Sequence, residues 1–102
     1  MAKYICARPV HPGEILKEAI EYRGISQGKL AEQMGISYKM LNNILNERRP
    51  ITTQAAMLFE AALGIPANML AGMQTDYDMQ VESKDKSFAE RLAQIRKAVA
   101  VF

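Results

Sequence analysis

Residues 26–46 read SQGKLAEQMGISYKMLNNILN. They hold two short helical patterns joined by Met34-Gly35-Ile36-Ser37. Ser26 and Ser37 each precede a helical run, where a hydroxyl accepts a free backbone N–H as an N-cap. Leu30, Ala31 and Met34 share the inward face of the first helix, and Met40, Leu41, Ile44 and Leu45 that of the second, over about 38–46. Two helices joined by so short a turn cross at roughly 90–120° in a helix-turn-helix. Such a turn needs a residue at ease with positive φ, supplied by Gly35, and a small residue where the helices cross, supplied by Ala31. Ile36 helps plug the angle. An αα-hairpin in an unrelated bundle accounts for the stripe and the glycine equally well. It does not account for an outward face of Tyr38, Lys39, Asn42, Asn43 and Asn46, which is amide-rich, basic and free of carboxylates.

That face matches the chemistry of base edges. Asparagine pairs bidentately with adenine, lysine bonds guanine, and tyrosine reaches a phosphate or a thymine methyl. The N-terminal part of a recognition helix lies nearest the bases. Ser37, Tyr38, Lys39, Asn42 and Asn43 are therefore the expected base contacts. Gln27 opens the preceding helix, where a side chain and free N–H groups meet phosphate. Arg48 and Arg49, with Asn46, are the expected DNA-backbone contacts, giving affinity with little sequence choice. A solvated loop is the plainer account of the arginines, and a helix cap that of Asn46.

Working outward, Ile15, Leu16, Ala19 and Ile20 predict a helix over about 13–23; Pro12 and Gly13 mark a turn, Pro12 also suits the entry to a helix, and Gly24 ends it. Thr52 or Thr53 caps a further helix bearing Ala55, Ala56, Leu58, Phe59, Ala62 and Leu63, and Gly64 stops it. Pro66 opens a fifth, with Met69, Leu70, Met73 and Tyr77. The stretch ESKDKS at 82–87 is a polar break. An amphipathic helix from about 88 carries Phe88, Leu92, Ile95 and Val99 on one stripe. The expected organisation is an N-terminal arm (1–12), a helix-turn-helix domain (13–81) and a C-terminal helix (82–102). The fold class is all-α: a lambda-repressor-like five-helix DNA-binding domain with one helix added.

Bulk properties agree. A chain of 102 residues is one domain in size, and small enough to gain from a dimer partner. No apolar run nears the ~20 residues of a membrane span, and the start does not resemble a signal peptide, so a cytoplasmic location is expected. Single residues, Cys6 and His11, offer neither an internal disulfide nor a metal cluster, and both are placed in the arm. No catalytic set, metal site or phosphate-cradling loop is evident, so neither an enzyme nor a cofactor is expected. Net charge is only +2, but it is segregated. Residues 54–83 hold Glu60, Asp76, Asp78 and Glu82 without a lysine or arginine, whereas 26–53 and 84–97 are basic.

On particular residues the chain resembles the HigA (VapI) antitoxin family, within the Cro/C1-repressor (XRE) class. The carriers are His11-Pro12-Gly13-Glu14-Ile15-Leu16, Gly24-Ile25-Ser26-Gln27, Leu30-Ala31 and Gly35-Ile36-Ser37. They continue with Leu45-Asn46-Glu47-Arg48-Arg49-Pro50-Ile51-Thr52, Leu63-Gly64-Ile65-Pro66 and Met73-Gln74-Thr75-Asp76-Tyr77-Asp78. The resemblance implies five helices, binding of double-stranded operator DNA as a homodimer, repression of the chain's own operon, and neutralisation of a HigB-type toxin, an mRNA endonuclease. Glu47 departs from the pattern, standing where many members have glycine. Around Ala67–Met69 many members carry an aromatic pair, whereas this chain has the aliphatic Asn68-Met69-Leu70. The helix beyond Ser87 lies outside the resemblance.

A dimer seam is expected on Leu70, Met73 and Tyr77. Phe88, Leu92, Ile95 and Val99 join it if the last helix crosses to the dimer mate on a flexible 82–87 lead. That helix can instead pack on its own domain or hold a toxin. Two other functions fit the same residues: an XRE-type regulator without a toxin, and a helical protein-interaction module built on Met57, Met69, Met73 and Met79, for which ordinary core packing is the plainer account.

Overall fold

The computed structural model describes residues 10–101. Their helices are α1 (Pro12–Arg23), α2 (Gln27–Met34), α3 (Tyr38–Leu45), α4 (Thr53–Leu63), α5 (Ala67–Ser83) and α6 (Lys86–Val99), and no strand occurs among the described residues. The expected N-caps form: Ser26 accepts from Lys29 N–H, Ser37 from Met40 N–H and Thr52 from Ala55 N–H. Gly24, Gly35 and Gly64 end their helices at positive φ. Cys6 and most of the expected N-terminal arm lie outside the described residues. Pro12 takes the helix-entry position expected of it, opening α1 one residue earlier than the expected start, and Gly13 lies inside the helix.

α1–α5 enclose one core. Leu16, Ile20, Leu30, Leu41, Ile44, Leu45, Ile51, Phe59, Leu63 and Leu70 are buried, with Ala31, Met34, Ala55 and Ala56 filling the closer approaches. α3 sits between α1 and α2, so its inner face is consumed by packing and its outer face stays free. Two long-range bonds brace the bundle. Arg23 Nη1 donates to the Leu63 carbonyl at 2.8 Å, and Lys17 Nζ to Asn46 Oδ1 at 3.1 Å.

Three helix ends share one geometry. After α1, Ile25 N–H reaches the Ile20 carbonyl and Gly24 N–H that of Glu21. After α2, Ile36 reaches Ala31 and Gly35 reaches Glu32; after α3, Arg48 reaches Asn43 and Glu47 reaches Ile44. Each is a Schellman closure, which requires a left-handed residue. Glycine fills that position twice. Glu47 fills it the third time, at φ +63°. The turn after α3 therefore keeps the shape a glycine would give, at a backbone cost of roughly 1–2 kcal/mol.

The C-terminal third differs from expectation in several places. Leu70 is wholly buried in the chain's own core and is no part of a dimer seam. Tyr77 lies edge-on to His11, ring centroids 4.9 Å apart, and is half-buried. The 82–87 stretch is not a flexible lead. Glu82 and Ser83 complete α5, Asp85 caps α6 through Phe88 N–H, and only Lys84 and Asp85 break the helices. Helix propensity in glutamate, lysine and serine carried both helices into a stretch that polarity alone marked as a loop. α6 packs against α5 and has no buried residue. The chain is accordingly elongated, 56 × 28 × 21 Å. Met57, Met69 and Met79 are exposed rather than packed in the core.

At Gly13 a Cβ would overlap the Ile44 carbonyl oxygen. Gly13→Ala is expected to cost about 2–3 kcal/mol, as overpacking does, and to lower the thermal midpoint by on the order of 10 °C. Glu47→Gly is expected to act oppositely, adding about 0.5–1 kcal/mol as the left-handed strain is relieved. Thermal unfolding followed by circular dichroism checks both signs.

Candidate nucleic-acid interface

α3 begins at Tyr38, immediately after its Ser37 cap, so its first-turn side chains project from the free helix end. Tyr38 is 55% exposed and Lys39 is exposed; Asn42 and Asn43 follow one turn later, half-buried on the same outer face. The described α3 carries no acidic residue. The five expected base contacts are thus brought together on one surface. Ser37 Oγ is already an acceptor for Met40 N–H at 3.0 Å, which leaves its hydroxyl hydrogen to donate outward.

Gln27, at the start of α2, joins this surface. Asn42 Nδ2 donates to Gln27 Oε1 at 3.1 Å. The pair fixes the orientation of the Asn42 amide and leaves its Oδ1 and second N–H outward, the donor–acceptor set that adenine requires. Asn43 Oδ1 accepts from Arg48 Nη1 at 3.4 Å, so the first arginine past the helix leans back over the same face. Arg49 is exposed beside it. Asn46 is different. It is the C-cap of α3; its Nδ2 donates to the Asn42 carbonyl at 2.9 Å and its Oδ1 accepts from Lys17 at 3.1 Å. Both ends of that amide are engaged within the chain, as a helix cap requires.

The loop carrying Arg48 and Arg49 rests on residues to which the sequence reading gave no role. Gln74 is 6% exposed; its Oε1 accepts the Ile51 N–H at 2.8 Å, and its Nε2 donates to Asp78 Oδ1 at 3.0 Å. His11 is 2% exposed and is no loose arm. Its Nδ1 accepts the Gly13 N–H at 2.9 Å, capping α1, and its ring also hydrogen-bonds the backbone of Arg49. His11, Arg49, Pro50, Gln74, Tyr77 and Asp78 surround one small recess. A signal was present in the sequence: Gln74 falls one helical turn after Leu70, a polar amide on a buried stripe.

Burial holds the His11 imidazolium below its ordinary pKa of 6.5, against an opposing pull from Glu47, the Arg49 backbone and Asp78. Since Nδ1 must stay unprotonated to accept the Gly13 N–H, the neutral ring is the one that caps α1. No His, Cys, Asp and Glu grouping fit for a metal occurs among the described residues, and no helix there is long and apolar enough to cross a membrane.

Comparison with known proteins places this surface in context. Residues 16–70 match the helix-turn-helix family HTH_3. Virulence-associated protein I of Dichelobacter nodosus is 36% identical over 78 residues, 76% of this chain and 72% of that protein. An addiction-module antidote protein of the HigA family from Coxiella burnetii superposes with a TM-score of 0.73 at 30% identity, covering 80% of this chain and 90% of that one. Antitoxin HigA of Pseudomonas aeruginosa, solved with the higBA promoter, gives 0.72 at 29% identity, covering 86% and 91%.

The His11 arrangement predicts a pH dependence. The unfolded chain takes up a proton near pH 6.5, while the folded chain resists until a lower pH. The stabilisation is therefore complete above the unfolded pKa and declines as pH falls through the folded one. His11→Asn keeps a capping side chain and is expected to lose this component of the pH dependence. Denaturant midpoints measured from pH 7.5 to 5 in both proteins check it.

Proposed function

The chain belongs to the XRE-type helix-turn-helix family that includes virulence-associated protein I, and from that premise we propose that it is a sequence-specific, operator-binding repressor of the HigA antitoxin type. The carrying observation is the outer face of α3. A surface of Tyr38, Lys39, Asn42 and Asn43 without a carboxylate, with Arg48 and Arg49 at its edge, is suited to base edges flanked by phosphates. The Pseudomonas relative solved with its promoter supports the same use. Ser37, Tyr38, Lys39, Asn42 and Asn43 read bases, and Gln27, Arg48 and Arg49 hold the backbone. Such a repressor acts in the cytoplasm and catalyses nothing itself.

The antitoxin reading adds a HigB-type toxin as second partner. The exposed Met57 on α4 borders an open groove with Pro66, Ala67, Asn68 and Ala71, an adaptable surface for a protein. Among the described residues the groove has no occupant from the chain itself.

Selective binding needs more than one short half-site, and a two-fold dimer spanning half-sites ~34 Å apart supplies it. Leu70 is buried in the chain's own core, so the seam we propose runs along the α5–α6 arm, with Met73, Tyr77 and the α6 stripe. Phe88, Ile95 and Val99 are 40–50% exposed, Leu92 and Met73 are half-buried, and Asp78, Met79, Glu82, Ser83 and Arg96 border the groove beside them. Acidic α5 and basic α6 are complementary when two arms lie antiparallel.

Lys39→Ala is expected to cost roughly 1–3 kcal/mol of operator binding and to relax the choice at one or two base pairs. Arg48→Ala weakens operator and random duplexes alike and flattens the salt slope by about one unit. Fluorescence anisotropy on both duplexes checks them; wild-type binding by both variants excludes the assigned face. For the seam, truncation after Ser83 is expected to weaken dimerisation and lower the thermal midpoint while leaving the helix-turn-helix folded. Sedimentation of a truncated chain that still dimerises normally rejects it.

A further inference from the structure

We propose that Gln74, seconded by His11, is a positioning residue for the phosphate clamp: it sets the backbone from which Arg48 and Arg49 reach DNA. The inference rests on the operator-binding reading and assigns a part in it to residues far from α3 in sequence.

Among the described residues, the buried polar side chains are His11 and Gln74. Both point at the same few residues. Arg48 N–H is bonded to the Asn43 carbonyl, the Arg49 backbone to His11, and Ile51 N–H to Gln74. Backbone anchors thus fall on both sides of the arginine pair, while both guanidinium-bearing side chains remain exposed. Asp78 accepts from the Gln74 amide, so Oε1 is the atom turned toward Ile51. Tyr77 closes the edge of His11. Ile51 itself is 6% exposed, so water is a poor substitute for Gln74 at its N–H.

A turn this close to a recognition helix has no need of such anchoring for chain reversal alone. The Schellman closure at Glu47 already reverses it. What the added anchors fix is where the arginines start. A charge delivered from an ordered backbone loses less entropy on meeting its phosphate than one on a wandering loop. Base reading does not pass through this contact, since Lys39 and Asn42 sit on α3, which is held by the core.

The test compares the wild-type chain with Gln74→Met, an apolar side chain of similar length. Binding is measured on a labelled duplex spanning the chain's own promoter and on a random duplex, across a salt series. Gln74→Met is expected to weaken both about tenfold and to lower the slope of log K against log salt by one to two units. The ratio of promoter to random affinity should stay within about twofold. In an Arg48→Ala, Arg49→Ala background the same change should remove no further slope. A folded Gln74→Met chain with wild-type slope and affinity overturns the proposal, and so does a slope loss that persists without the arginines. If the variant fails to fold, amide exchange in the wild-type chain decides. Ile51 protected like the α4 core supports it, and exchange at the rate of an open turn overturns it. A wild-type chain that binds both duplexes equally fails the operator reading instead, and one that binds neither removes both.

Discussion

The contact between Gly13 and the Ile44 carbonyl sets the rest of the molecule. α1 begins where α3 ends, and the two backbones meet with no room for a Cβ. Only glycine permits that approach, and the residues around it follow from it. Pro12 occupies the first helical position, where a missing N–H costs nothing. His11 must then cap the helix from a buried site, because α3 and the loop after it close over the entrance. The HPGE run is a docking joint between the first helix and the recognition helix. Its close approach to the Ile44 carbonyl fixes how α3 sits against α1.

The turns show how one geometry can be met by unlike residues. α1, α2 and α3 end in the same pair of backbone bonds, and two of them use glycine as the mechanism predicts. At Glu47 the sequence offers no permissive residue, and the turn forms nonetheless. Bonds from Arg48 N–H and Glu47 N–H, with Ile51 drawn inward beyond them, offset a strain of about 1–2 kcal/mol. A departure from the family pattern in residue type is therefore not a departure in backbone.

Local signals in the sequence were the readable ones. Ser26, Ser37 and Thr52 cap as hydroxyls should, Gly35 takes the left-handed turn, and the outer face of α3 is the one chosen by its lack of carboxylates. What periodicity could not tell was which apolar residues face a partner. Leu70 and Tyr77 lie on one stripe with Met73, but the stripe runs from core to surface along α5. Leu70 meets the core and Tyr77 meets His11. For His11 and Gln74 the sequence was legible only in part: Gln74 stands out as a polar amide one turn after Leu70, but what either residue bonds over a distance does not show. Their partners are backbone groups of the Arg49–Ile51 segment, more than twenty residues away in the chain, and no spacing rule reports a contact of that range. The 82–87 break failed because polarity does not separate a loop from an exposed helix junction.

α5 consequently serves two ends. Its first half fills the core through Leu70 and fastens the arginine loop through Gln74. Its second half leaves the core and carries α6 outward. Asp78 stands at the change between them, bonded to Gln74 on one side and lining the α5–α6 groove on the other. The arm and the arginine loop thus share one helix. Asn42, the amide proposed to read bases, is bonded to Gln27 on α2 and set on separate supports. The residues proposed for the DNA backbone and those proposed for the bases are thus braced by different parts of one small core: Arg48 and Arg49 by α5 and His11, Asn42 by α2.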